Sequence, residues 1–158
     1  MDDIDQKKFH KAHQEAENFY KNIEKVFCPY FKEEVAFNAK GLEHLKFSGL
    51  RRARSHGDQY IRFRLISLAP RIVKESHTLQ GISVRRSMER VKTNSRWESV
   101  MRMVTYYEFV AVIKDVRVRV IVKQVEGGQK YFWSVIPFWK MDKMSKKRLT
   151  HSGKPETD

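Results

Sequence analysis

From Val100 to Phe138 the chain changes character at every second residue, and this alternation constrains the fold more than any other feature. The segments "VMRMVTYYEFVAVI", "VRVRVIVKQV" and "KYFWSVIPF" are joined by "KD" and "EGGQ". A period of two is that of a strand, because successive side chains leave opposite faces of the backbone. Turn residues in such short connections force neighbouring strands to run antiparallel. The pattern therefore predicts a three-stranded antiparallel meander.

The turns also predict the register. If Lys114–Asp115 forms a two-residue loop, Tyr106 faces Lys123, Glu108 faces Ile121 and Val110 faces Arg119. If Gly127–Gly128 forms the other, Val125 faces Lys130, Lys123 faces Phe132 and Ile121 faces Ser134. One face then carries Tyr107, Phe109, Ala111, Val118, Val120, Val122, Tyr131, Trp133 and Val135, and must meet a core. The other carries Tyr106, Glu108, Arg117, Arg119, Lys123, Phe132 and Ser134. Ser134 thus belongs to a polar, basic face. That face has two readings: the solvated side of a half-buried sheet, or cations interleaved with aromatics for single-stranded nucleic acid.

Upstream, residues 3–27 predict an amphipathic helix capped by Asp3 or Asp5, with Phe9, Ala12, Ala16, Phe19, Tyr20, Ile23, Val26 and Phe27 on one stripe. His10 and His13 are spaced as a metal pair without a third ligand nearby, and exposed helix histidines account for them better. Val35 to Phe37 reads as a short strand, followed by a short helix carrying His44. "SGLRRARSHG" reads as a loop bearing Arg51, Arg52, Arg54 and His56. Residues 58–75 read as a helix that Pro70 kinks or ends. An edge strand is expected from Ile82 to Arg86, with a basic loop after it.

The fold class expected is α+β: N-terminal helices packed on a C-terminal antiparallel sheet in a single domain. Residues 1–28 form the N-terminal helical segment, 29–140 the main body, and 141–158 a basic tail that reads as disordered. Thirty-two Lys and Arg against nineteen Asp and Glu give a formal charge of +13. Such a charge favours a polyanion as partner, although a solvated basic surface gives the same count. The single cysteine, Cys28, excludes an internal disulfide and a multi-cysteine zinc site. No apolar run approaches a membrane span and no secretory signal is evident, so a cytoplasmic protein without a membrane partner is expected.

The stretches "VAFNAKGLEHLKF", "RRAR", "LISLAP" and "RVIVKQVEGGQKYFWSVIP" together resemble the barnase–EndoU–colicin–RelE nuclease superfamily, most closely its phage-associated branch. They span about residues 30–138 and leave the first helix and the tail outside. The resemblance implies a metal-independent endoribonuclease of toxin type without a cofactor, acting on RNA and held by an antitoxin or immunity protein. It implies His44 as base or acid and Ser134 as the last-strand hydroxyl. The register adds Lys123, Arg119 and Tyr106 to that catalytic set. Lys46, Arg51, Arg52, Arg54, Arg117 and Phe132 are the expected RNA-binding residues. Cleavage at the 2′-hydroxyl needs a base, an acid and cations, which these side chains supply. Two other readings remain: a non-catalytic nucleic-acid-binding module on the same scaffold, and an adaptor for an acidic protein.

Overall fold

The computed structural model describes residues 5–49 and 52–137. Helix α1 (Gln6–Lys21) starts where the Asp5 carboxylate accepts from the Lys7 amide at 3.1 Å. It buries Phe9, Ala12, Ala16 and Tyr20. The helix ends at Asn22, earlier than the apolar stripe suggests, and Val26–Cys28 forms strand β1 instead. β1 pairs antiparallel with β2 (Glu33–Val35), with Cys28 and Val35 fully buried. β-branched Val26 and the pairing outweigh helical periodicity here.

β2 stops at Val35, short of the expected Phe37, and Ala36 makes an isolated parallel bridge to Tyr131. The Asn38 side chain caps α2 (Ala39–Lys46) by accepting from the Gly41 amide at 3.3 Å. A Cβ at Gly41 would collide with the Phe132 carbonyl oxygen, so glycine lets α2 lie directly on the last strand. The expected arginine loop contains a small hairpin, β3 (Phe47–Gly49) and β4 (Arg52–Ala53). α3 (His56–Leu65) passes through a 3-10 turn at Ile66–Leu68 into α4 (Ala69–Glu75). Pro70 lies in the first turn of α4, where its missing N–H costs nothing, and so begins a helix rather than ending one.

The C-terminal sheet contains β5 (Gly81–Thr93), β6 (Arg96–Ile113), β7 (Val116–Val125) and β8 (Tyr131–Pro137), antiparallel in that order. The edge strand expected at 82–86 runs on through the expected basic loop. Asn94 and Ser95, both at positive φ, make the tight turn back into β6. Lys114 and Asp115 turn β6 into β7 in the same way. The pairs Tyr106–Lys123, Glu108–Ile121 and Val110–Arg119 stand as the two-residue loop predicts.

β7 and β8 depart from the predicted register at one residue. Ile121 pairs with Ser134 as expected, but Val122 pairs with Phe132, so Trp133 is an extra residue in a bulge. Lys123 consequently faces Tyr131, not Phe132. Phe132 turns to the helix side and is fully buried there, stacked 5.1 Å from Phe37 and near Tyr20. Trp133 instead packs with Val104, Tyr106 and Ile121 on the other face.

The molecule is therefore an α+β single domain with N-terminal helices on a C-terminal four-stranded antiparallel sheet. Phe9, Ala16 and Tyr20 of α1 share one core with Ile72 and Val73 of α4, and with Val118, Val120, Val122 and Val135. The first helix is thus part of the main body rather than an appendage.

Candidate functional site

The second face of the sheet is neither solvated nor wholly apolar. His44, on the inner side of α2, is buried and stacks on Trp133 with ring centroids 3.9 Å apart. Arg54, which follows β4, donates through Nε to the His44 carbonyl at 2.9 Å and through Nη2 to His44 Nε2 at 3.0 Å. Guanidinium is only a donor, so Nε2 accepts, and a neutral ring carries its proton on Nδ1. Arg54 also pairs with Asp58 at 3.2 Å, and Arg62 Nε reaches the other oxygen of Asp58 at 2.8 Å. Arg62 then donates through Nη1 to Ser134 Oγ at 2.5 Å. A chain of charge-assisted hydrogen bonds therefore links His44 to Ser134 through Arg54, Asp58 and Arg62. This gives a serine its place in an aromatic strand: it accepts from a buried arginine.

Beside this chain lies a cleft of about 510 Å³ lined by α2, the β3 end, the β5–β6 hairpin and the β7–β8 pair. Lys123 lies in its wall, buried, with its ammonium 3.0 Å from Glu89 and 4.1 Å from the Trp133 ring centroid. Burial pulls the Lys123 pKa below the ordinary lysine range, and the Glu89 carboxylate partly offsets this. Tyr131 stands across the pair from Lys123, with Lys40 Nζ 5.7 Å from its ring. Burial, with Glu89 nearby, pushes its hydroxyl pKa up, so it remains protonated at neutral pH. Glu43, Phe47, Met88, Arg90 and Trp97 complete the cleft wall.

The expected site residues do not gather in one place. His44 and Lys123 line the cleft, and Tyr106 lies near it, its ring 5.8 Å from the Lys123 ammonium. Ser134 and Arg54 are buried in the polar chain rather than exposed to a ligand. Arg119 is buried against Glu108, and Lys46 pairs with Glu17 of α1. Phe132 belongs to the helix-side core, and so cannot stack on RNA as expected. Arg52 and Arg117 are exposed, and Arg51 lies outside the described residues.

Sequence reasoning missed Asp58, Arg62, Glu89, Tyr131 and Trp133. The first two stand at an i,i+4 spacing on one helix, a readable sign of an ion pair. The last two were hidden by the bulge. Among the described residues no group of three His, Cys, Asp or Glu side chains is placed to hold a metal ion, and no helix is long and apolar enough to cross a membrane. Comparison with family models, with curated proteins and with solved structures gave no match to this chain.

Proposed function

We propose that the protein binds single-stranded RNA at the cleft and cleaves it there without a metal ion, as the resemblance to the barnase–EndoU–colicin–RelE nucleases implies. The observation that carries this reading is the convergence of Lys123, Tyr131, His44 and Glu43 on one open cleft in a chain of charge +13. A carboxylate that can accept a proton and an ammonium or imidazole that can donate one are what general acid–base catalysis requires.

In such a reaction the 2′-hydroxyl gives its proton to a carboxylate, for which Glu43 and Glu89 are placed in the wall. Its oxygen bonds to the adjacent phosphorus, and the bond from phosphorus to the 5′-oxygen breaks. Lys123 or the His44 Nδ1–H supplies the proton to that departing oxygen. The products are a 2′,3′-cyclic phosphate and a 5′-hydroxyl. Lys123 and Lys40 offset the charge on the phosphorane.

A non-catalytic RNA-binding module is the second reading. It is favoured by the burial of His44 and the commitment of its Nε2 to Arg54. End-labelled RNA incubated with the full chain in EDTA separates the two. Cleavage leaving cyclic phosphate ends supports the enzyme; binding without any cut supports the module.

A further inference from the structure

Tyr131 is 5% exposed, and its hydroxyl is buried without a hydrogen-bond partner. Buried hydroxyls are normally satisfied, so an orphan beside an open cleft points to something the cleft receives. The wall composition narrows what that is. A phosphate alone does not account for this wall: Lys40 and Lys123 suit it, but the carboxylates of Glu43 and Glu89 beside them do not. A wholly apolar ligand would strip water from the same carboxylates without replacing it. A nucleobase suits both kinds of wall. Its face can lie against Trp97, which is exposed and has the Arg90 guanidinium 5.8 Å from its ring. Its N–H groups can donate to carboxylates, and its carbonyl can accept from a hydroxyl.

We propose that the cleft receives one unstacked base of a single-stranded RNA, with the Tyr131 hydroxyl donating to a carbonyl oxygen of that base. This rests on the RNA reading above and adds to it the base subsite and the residue that reads it. The burial that keeps the hydroxyl protonated keeps it a donor. The basic β5–β6 hairpin, with Arg85, Arg86 and Lys92 exposed, lies beside the cleft to hold the phosphates of the same strand.

The test compares the full-length protein with Tyr131→Phe. The probes are a 2′-O-methyl oligouridylate, which cannot be cleaved, the same backbone without bases, and uridine monophosphate. Binding is read by fluorescence anisotropy or, for the mononucleotide, by tryptophan quenching. The variant is expected to bind the oligouridylate about tenfold or more weakly, and the abasic strand as wild type does. It is also expected to melt about 2–4 °C higher, because an unsatisfied hydroxyl has been removed from the interior. Equal oligouridylate affinity in the two proteins overturns the proposal, as does a lower melting temperature, which would give the hydroxyl a structural role. Uridine monophosphate bound as tightly as the oligomer assigns the subsite to free nucleotides and overturns the strand. If wild type binds or cleaves other RNA while Tyr131→Phe changes nothing, only the base subsite fails. If wild type binds no RNA, both readings fall.

Discussion

Arg62 and Ser134 are 72 residues apart in sequence, yet the guanidinium of one donates to the hydroxyl of the other where both are essentially excluded from solvent. The bond ties α3 to the edge strand β8. Removing the acceptor takes a partner from a buried charge, which costs about 1–3 kcal/mol. Ser134→Ala is therefore expected to lower stability by that amount in urea denaturation. A change below about 0.5 kcal/mol, the usual range for a surface substitution, would show that the bond contributes little.

Asp58 bridges Arg54 and Arg62, whose side chains are buried while the carboxylate itself stays about one-quarter exposed. Breaking a buried pair typically costs ~3–5 kcal/mol, and the partial exposure moves Asp58→Asn toward or below the lower end of that range. The polar chain also holds His44 and Ser134 in place, so both should loosen together. Hydrogen exchange in α2 and β8 of the variant checks this: both segments should lose protection, and unchanged protection would argue against a connected chain.

The meander was readable because its first turn, Lys114–Asp115, is a two-residue turn whose geometry fixes register. The bulge at Trp133 was not, because "FWSVIP" alternates well under either pairing and the Glu126–Lys130 connection allowed a two-residue loop. That one residue moved Phe132 into the core and brought Trp133 and Tyr131 to the cleft. The start of strand β5 was legible at Ile82–Arg86, but its continuation to Thr93 was read as a basic loop for another reason. Arg86 and Arg90 occupy positions between Val84 and Met88 and beyond, so its alternation is broken by charge on what is an exposed ribbon. His44 and Ser134 were found as residues, but their joint tie through Arg54, Asp58 and Arg62 depends on tertiary packing that no local pattern encodes.

The Glu17–Lys46 pair joins α1 to α2, and the hydrogen bond from Lys46 holds the Glu17 carboxyl below its ordinary range. A carboxylate whose folded pKa is depressed stabilises the fold above its unfolded pKa, and that stability is lost as pH falls through the folded value. Both side chains are more than two-thirds buried, but they still meet solvent, so the pair contributes only ~0.2–1 kcal/mol. Lys46→Met should thus lower stability at pH 7 by about that much, and the gap should close below pH ~4 as Glu17 becomes protonated. A gap that stays constant down to pH 3 would show no linkage. RNA affinity should not change, because this lysine is engaged within the fold.

RNA affinity should depend on salt through the β5–β6 hairpin rather than through Arg54, which is buried. Arg86, Arg90 and Lys92 are exposed on one face of β5. For a single strand, each phosphate left without its protein cation should reduce the slope of log K against log salt by about 0.7. Changing all three to glutamine is therefore expected to flatten the slope by roughly 2 without altering the melting temperature by more than a degree or so. An unchanged slope would move the phosphate-binding surface elsewhere.

Lys123 offers the sharpest separation of enzyme from binding module. If it protonates the departing 5′-oxygen, it must be in its charged form, and burial has moved its pKa downward. The cleavage rate should then fall as pH rises through that lowered value, before the ordinary lysine range of about 10.4 is reached. Lys123→Arg keeps a cation beside Glu89 and over Trp133, but guanidinium does not release its proton at these pH values. Cleavage by the variant should drop by ~10²–10⁴ and lose the alkaline limb, while affinity for uncleavable RNA stays within a few-fold. His44→Gln, which retains an acceptor for Arg54, should show a loss of the same kind if Nδ1–H shares the task. Should Lys123→Arg cleave as fast as wild type with the same pH profile, Lys123 is not the acid, and its role is to carry charge in the wall of the cleft.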